Sequence, residues 1–242
     1  MVYKVNFLIR MVTLLSFDLV LPFVTIMIYQ KTNGFANWSF NEILLFQGVF
    51  ILVNGIDKFF FRRSNWFLAS DVRNGNFDRY LLYPVDTVQY VAFVNLAVEE
   101  VAQILIGASL IVYSIFKLNI ILNFWNVFLF IVFILLGVLF LFSLQLIQYS
   151  VILRSVMIGR LGEFMNTVKR YGEYPVEIYN LSVSFVLRYA MPLAILAYYP
   201  SELLLRNISS NVIIAVVIIF IFLAFSIVFW RSSLKNYASA GG

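Results

Sequence analysis

The run VIIAVVIIFIFLAFSIVFW, Val212 to Trp230, contains no charged residue, no proline and no glycine. At about 1.5 Å per residue, a helix of this length nearly crosses a hydrocarbon core of about 30 Å. In lipid each backbone amide must find its partner within the structure, which a helix achieves alone. A membrane strand would instead alternate apolar and polar residues over about 10 positions, and this run does not. Five more apolar stretches precede it: Met11 to Tyr29, Ile43 to Phe61, Val88 to Phe116, Phe124 to Leu153 and Val176 to Tyr199. The expected fold class is all-α integral membrane, with six transmembrane helices at about 11–29, 43–61, 88–116, 124–153, 176–191 and 212–230 in one domain over 1–242.

Composition excludes the competing classes. The chain is 62% hydrophobic and 12% charged, about half the charge that a soluble domain needs to coat its surface. A formal charge of +5 could suggest a nucleic-acid partner, but the 17 basic residues lie between apolar blocks and build no polar basic face. No nucleic acid is expected. Zero Cys and zero His remove disulfides, thiolate nucleophiles, Cys/His zinc sites and imidazole bases. None of the 11 glycines is followed by Lys, so the chain lacks the phosphate loop by which many ATPases hold nucleotide. No catalytic residue, metal or cofactor is expected in the chain.

Lys4 and Arg10 flank the first apolar run, yet it is longer than a signal-peptide core, Asp18 interrupts it, and no A-x-A site follows Tyr29. It reads as a retained span preceded by an interfacial amphipathic segment, VYKVNFLIR. Orientation follows from the basic residues. Both termini and the even-numbered loops carry Lys4, Arg10, Arg62, Arg63, Arg73, Arg79, Arg154, Arg160, Lys169, Arg170, Arg231 and Lys235, against Lys31, Lys117 and Arg206 on the other side. Twelve against three places both termini in the cytoplasm.

Between the second and third spans, the loop 62–87 is the longest polar cytoplasmic stretch. Ser64 or Asn65 can cap a helix through about Asn74, and Gly75 stands where a left-handed residue would end it. Asn76 can cap a second short helix, Phe77 to Leu82, which Pro84 stops. Trp66, Phe67, Phe77 and Leu81 are expected on the membrane side, and Asp71, Arg73, Asp78 and Arg79 toward the cytosol. The connection from Arg154 to Val176, broken by Gly159, Gly162, Gly172 and Pro175, reads as a basic amphipathic linker along anionic headgroups.

Arg188 and Pro192 interrupt the fifth stretch and Pro200 ends it, so a span to about Met191 should be followed by a broken, re-entrant piece, 192–205, near the outer surface. Ionisable residues within spans are candidates for a substrate path. Asp57 and Lys58 lie near a cytoplasmic end and can snorkel. Glu99 and Glu100 are about 100° apart on a helix and cannot share one two-carboxylate site; if the third span begins near Val101, they mark its boundary. Asp18 and Arg188 either pair across helices or touch a substrate.

The string RNGNFDRYLLYPV resembles the Gly-x-Leu/Phe-Asp-x-x-Leu-Leu-x-Pro signature of a branch of type-2 ABC transporter permeases, the membrane subunits of ABC exporters. Gly75, Phe77, Asp78, Leu81, Leu82 and Pro84 match it in order, whereas Tyr83 stands where Arg is common. MPLAILAYYPSELLL, with Pro192, Tyr199 and Pro200, is similar to that branch's segment after the fifth span, and the ending NYASAGG to its Tyr-x-Ser-Ala-Gly-Gly terminus. The resemblance implies an N-terminal elbow, a coupling helix contributed by Arg73, Asn74, Gly75, Phe77, Asp78, Arg79, Leu81, Leu82 and Pro84, and re-entrant extracellular helices. It implies a dimer with a second permease, the same or a homologous chain, on two copies of a cytosolic ABC ATPase that binds ATP and Mg. The expected setting is the lipid bilayer of a bacterial plasma membrane, and the expected cargo an amphipathic peptide, drug or lipid-like molecule. Two alternatives remain. An ion-coupled transporter or channel using Asp18, Glu99 and Arg188 should show inverted repeats, which are not evident, and an importer's substrate-capture subunit should hold a polar ligand pocket.

Overall fold

The computed structural model describes residues 9, 11, 13, 16, 19–32, 34–35, 37–94, 96–155, 159–206 and 212–237, the side chains of 62–66 and 159–161 excepted. These residues form helices and turns, with no strand among them. Four helices among them are long and apolar enough to cross a membrane: Phe40–Phe61, Val98–Leu118, Phe124–Ser155 and Val212–Lys235. Asp18, most of the expected amphipathic elbow and the final Ala238 to Gly242 lie outside the described residues.

Helix α1, Val20–Lys31, is followed by a turn in which Tyr29 Oη donates to the Trp38 carbonyl at 2.7 Å. Ser39 then starts α2 with a reciprocal cap: its hydroxyl accepts from the Glu42 amide, and the Glu42 carboxylate accepts from the Ser39 amide at 2.6 Å. α2 runs without a break from Phe40 to Arg73. The loop helix expected to start at Ser64 or Asn65 is therefore the continuation of the second span, since no glycine or proline between Asp57 and Asn74 interrupts it. Short helices α3, Asp78–Leu82, and α4, Thr87–Phe93, lead back to the bundle.

The third apolar stretch divides. After α4 the chain breaks, the Ala97 amide donates to the Phe59 carbonyl at 2.8 Å, a 3-10 turn covers Val98–Glu100, and α5 runs from Val101 to Leu118. α5 packs on α2 through glycines. A Cβ added at Gly107 would lie 2.6 Å from the Leu52 nitrogen and 2.8 Å from the Gly48 carbonyl oxygen. Such backbone-to-backbone approach is how helices associate where lipid supplies no hydrophobic drive between them. Lys58 Nζ donates to Gln103 Oε1 at 2.9 Å across the same interface.

Asn119, at φ 51°, ends α5 in the left-handed region, and α6, Phe124–Ser155, returns toward the α3 end of the bundle. α10, Val212–Lys235, finishes at that end too, where Arg154 donates to Ser233 Oγ at 2.8 Å and to Ser232 Oγ at 2.9 Å. Because α10 must also begin at the opposite end, the chain between α6 and α10 has to traverse the bundle once. It does so before the stretch in which the fifth span was expected. α7, Gly159–Arg170, places Lys169 Nζ 2.7 Å from Asp57 Oδ2, a Cβ at Gly172 would meet Phe50 Cε2 at 3.3 Å, and the Tyr174 ring lies 5.8 Å from Phe35. The segment thus climbs antiparallel to α2, where a linker along headgroups was expected.

Residues 176–191, expected as one span, form a 3-10 turn at Val176–Ile178, helix α8 at Leu181–Phe185 and one π-turn at Val186–Ala190. Ten helical residues reach only about 15 Å. A 3-10 turn, Leu193–Leu196, then packs against the middle of α6, with the Ile195 carbonyl 3.3 Å from a Cβ built on Gly137. α9, Tyr198–Leu205, brings the chain back to the start of α2, where Arg206 lies 3.7 Å from Glu42.

Candidate functional site

At the end of the bundle where α2, α6 and α10 stop, the chain between Arg73 and Asp86 is assembled as one small unit. Gly75 adopts φ 72°, a conformation that costs a residue with Cβ about 1 kcal/mol or more. Its amide donates to the Val72 carbonyl at 3.4 Å and that of Phe77 to the Asp71 carbonyl at 3.1 Å, so the reversal consumes the last carbonyls of α2. Asn74 is the C-cap, its amide bonded to Ser70. Across the reversal, Tyr80 Oη donates to Asp71 Oδ2 at 2.6 Å. Asp71, expected to face the cytosol, therefore serves the turn.

Phe77 is fully buried, contrary to the expectation of a membrane-facing ring. It stacks on Tyr80 at 5.1 Å and meets Tyr237 edge-on at 5.0 Å and Trp230 at 6.3 Å. Trp230, also fully buried, donates from Nε1 to Thr87 Oγ1 at 3.1 Å and touches Tyr149 of α6. The second core of the molecule is built around these rings, with Leu68, Val72, Val91, Leu146 and Ile152 beneath them. Sequence periodicity had no means of finding this, because Phe77 lies in a turn and Trp230 at the close of a uniformly apolar run.

The opposite side of α3 is bare. Leu81 is 45% exposed, Leu82 84%, and Val85 and Pro84 are exposed beside them. Arg73 and Arg79 are exposed at the rim and Asp78 is half-buried in the first turn. Tyr83 stacks flat on Tyr90 at 4.6 Å. Burial first, and then the hydrogen bond and charge of Tyr83 and the charge of Asp71, raise the Tyr90 phenol above its ordinary value. The unit offers a short apolar ridge with charges at its edge.

Of the residues singled out for a substrate path, the described ones, Glu99, Glu100 and Arg188, do not converge. Glu99 and Glu100 are buried in the turn that begins the third span, near the α3 end. Arg188 lies far along the chain in the π-turn, 3.4 Å from Glu177 Oε1 and 5.1 Å above the Tyr198 ring. Glu177 and Glu202, which no sequence motif singles out, meet Arg188 through Tyr198. Of the re-entrant motif, Tyr199 and Pro200 are buried inside the bundle and Pro192 ends the π-turn. Among the described residues no His/Cys/Asp/Glu group could hold a metal ion.

A family model described as ABC-2 family transporter protein matches residues 15–241 of the chain. No curated protein and no solved structure matches it.

Proposed function

The chain belongs to the ABC-2 family of transporter proteins, and on that premise we propose that it is the permease subunit of an ATP-driven exporter, moved by a separate cytosolic ATPase that docks on α3. The observation that carries this reading is the two-sidedness of α3: Phe77 is locked to α2, α6 and α10 through one aromatic core, while Leu81 and Leu82 project from the other side. A push on the ridge is then delivered to three long helices at once. A loop attached by its ends alone would absorb it.

Dimerisation with a second permease, two ATPase copies and six crossings per protomer complete the proposal. Six are reached by counting α1 and the climb of α7 through Tyr179 together with the four long helices. On α7 the polar residues Glu163, Asn166, Thr167 and Arg170 are exposed at the depth of the apolar α2 and α6. A polar face at that depth needs water or a partner, which suits the wall of a pathway between two protomers for an amphipathic cargo. Both termini are then cytoplasmic, in a bacterial plasma membrane.

The test is coexpression with the stand-alone ATPase encoded nearest this gene. Leu82→Glu and Asp78→Lys should reach wild-type membrane levels, lose ATPase copurification and abolish ATP-dependent efflux, and the permease alone should not turn over ATP. Wild-type copurification and efflux in both variants would overturn the assignment of α3.

A further inference from the structure

Away from α3, at the end of the bundle where α2 begins, three elements meet through one phenol. Tyr198 Oη donates to Glu177 Oε1 and also has its oxygen 3.2 Å from Glu202 Oε1. A tyrosine hydroxyl has a single hydrogen to give, so toward the second carboxyl it can only accept. Accepting requires a proton on that carboxyl.

The charges say which carboxyl carries it. Glu177 has Arg188 at 3.4 Å. Arg206 is engaged with Glu42 at 3.7 Å and donates to the Asn37 carbonyl at 2.5 Å. Glu202 is thus the surplus acid, and its Oε2 is buried without a partner, a costly position for a charged oxygen and a tolerable one for a neutral carbonyl. Of the elements packed on α9, the turn Leu193–Leu196 and α6 from Phe124 to Leu153 contain no Lys or Arg, and α2 brings Glu42 in its first turn, its first cation, Lys58, lying far along the helix toward the α3 end. Tyr199, 1% exposed, adds a second buried hydroxyl without a partner, within the fields of Arg188 and Glu202.

We propose that Glu202, with Tyr198 and Glu177, is a proton-binding site that fastens α9 to the Val176–Ile178 turn, and that loss of the proton releases α9. With the proton bound, Glu177 and Arg188 cancel and Glu202 is neutral. When Glu202 gives up the proton to water, two carboxylates confront each other across one phenol with a single guanidinium between them. The site rests on this geometry alone and stands whether or not α3 is the ATPase contact.

The experiment uses the full chain in lipid nanodiscs. Infrared difference spectra at neutral pH should show a protonated-carboxyl band in the wild type that Glu202→Gln lacks and that Glu163→Gln, altered on the exposed face of α7, retains. In this Cys-free chain, Ser201→Cys places a thiol on a fully buried position of α9. Its labelling by a small methanethiosulfonate is measured against pH with and without Glu202→Gln, so that the ratio of rates cancels the thiol's own titration. Where proton release limits opening, the ratio should climb about tenfold per pH unit. If Glu202→Gln does not accumulate, Tyr198→Phe serves, and its labelling should begin to rise at lower pH than in the parent because the proton has lost its acceptor. Identical infrared bands in the wild type and Glu202→Gln, or labelling whose pH profile neither variant alters, would overturn the proposal.

Discussion

Phe77→Ala separates a clamped coupling element from one merely tethered by its loop. The ring is fully buried, 5.1 Å from Tyr80, 5.0 Å from Tyr237 and 6.3 Å from Trp230. Truncating a buried phenylalanine to alanine costs about 3–5 kcal/mol, and the aromatic pairings account for about 0.5–1.5 kcal/mol each within that range. Neither a span nor the Gly75 reversal is altered, so the loss falls on the equilibrium between docked and undocked α3. At about 1.4 kcal/mol per decade, even 3 kcal/mol is a shift of more than about 100-fold. The Tyr80 amide, which donates to the Phe77 carbonyl at 2.9 Å, reports on it directly. Hydrogen exchange of peptides covering 76–83, read by mass spectrometry in nanodiscs, should quicken about 100-fold in Phe77→Ala and far less in Phe77→Leu, while α6 peptides keep wild-type rates. Exchange in Phe77→Ala within about threefold of wild type would refute the clamp, and with it the argument that force on α3 reaches three helices.

Gly107→Ala should drive α2 and α5 apart, since its Cβ would sit 2.6 Å from backbone rather than from a side chain able to swing away; overpacking of this kind costs about 1–3 kcal/mol, seen as a lowered melting temperature in detergent, with Ser109→Ala on the exposed face of α5 as the neutral control. Lys169→Met strands the buried Asp57 carboxylate, whose Oδ1 already lacks a partner, at a cost of about 3–5 kcal/mol; the double change with Asp57→Leu should recover most of the lost thermal stability, and a double variant no better than the single would remove the pair from the account of how α7 is held to α2. Gly75→Val forces a β-branched residue into φ 72° and should cost about 1 kcal/mol or more, chiefly in α3 protection, while membrane insertion stays normal. Single cysteines at Asn37 and Asn74 should label from opposite sides of the membrane with an impermeant reagent, Asn37 from outside; the reverse pattern would invert the proposed orientation.

Sequence alone was enough for the all-helical membrane class, because burying backbone amides in lipid leaves a run such as Val212 to Trp230 one local solution, and every residue of it carries the same signal. It was also enough for the reversal at Gly75, where φ 72° is set by nearest-neighbour geometry and a missing Cβ announces it. Those are properties of contiguous residues. What required the tertiary structure were pairings across long separations in sequence. Nothing local distinguishes Phe77, buried against Trp230, from Leu82, which is 84% exposed three residues beyond Arg79 on the same short helix. The climb of α7 was unreadable for a related reason: its polar residues look like a surface linker until Lys169 is seen to neutralise Asp57, 112 positions earlier. The Glu177, Arg188, Tyr198 and Glu202 site combines three elements whose charges, read one at a time, are only flanking residues. A span is decided by the free energy of each residue in lipid, which is additive along the chain, whereas a buried polar site is decided by whether its partners arrive, and that depends on how the whole bundle closes.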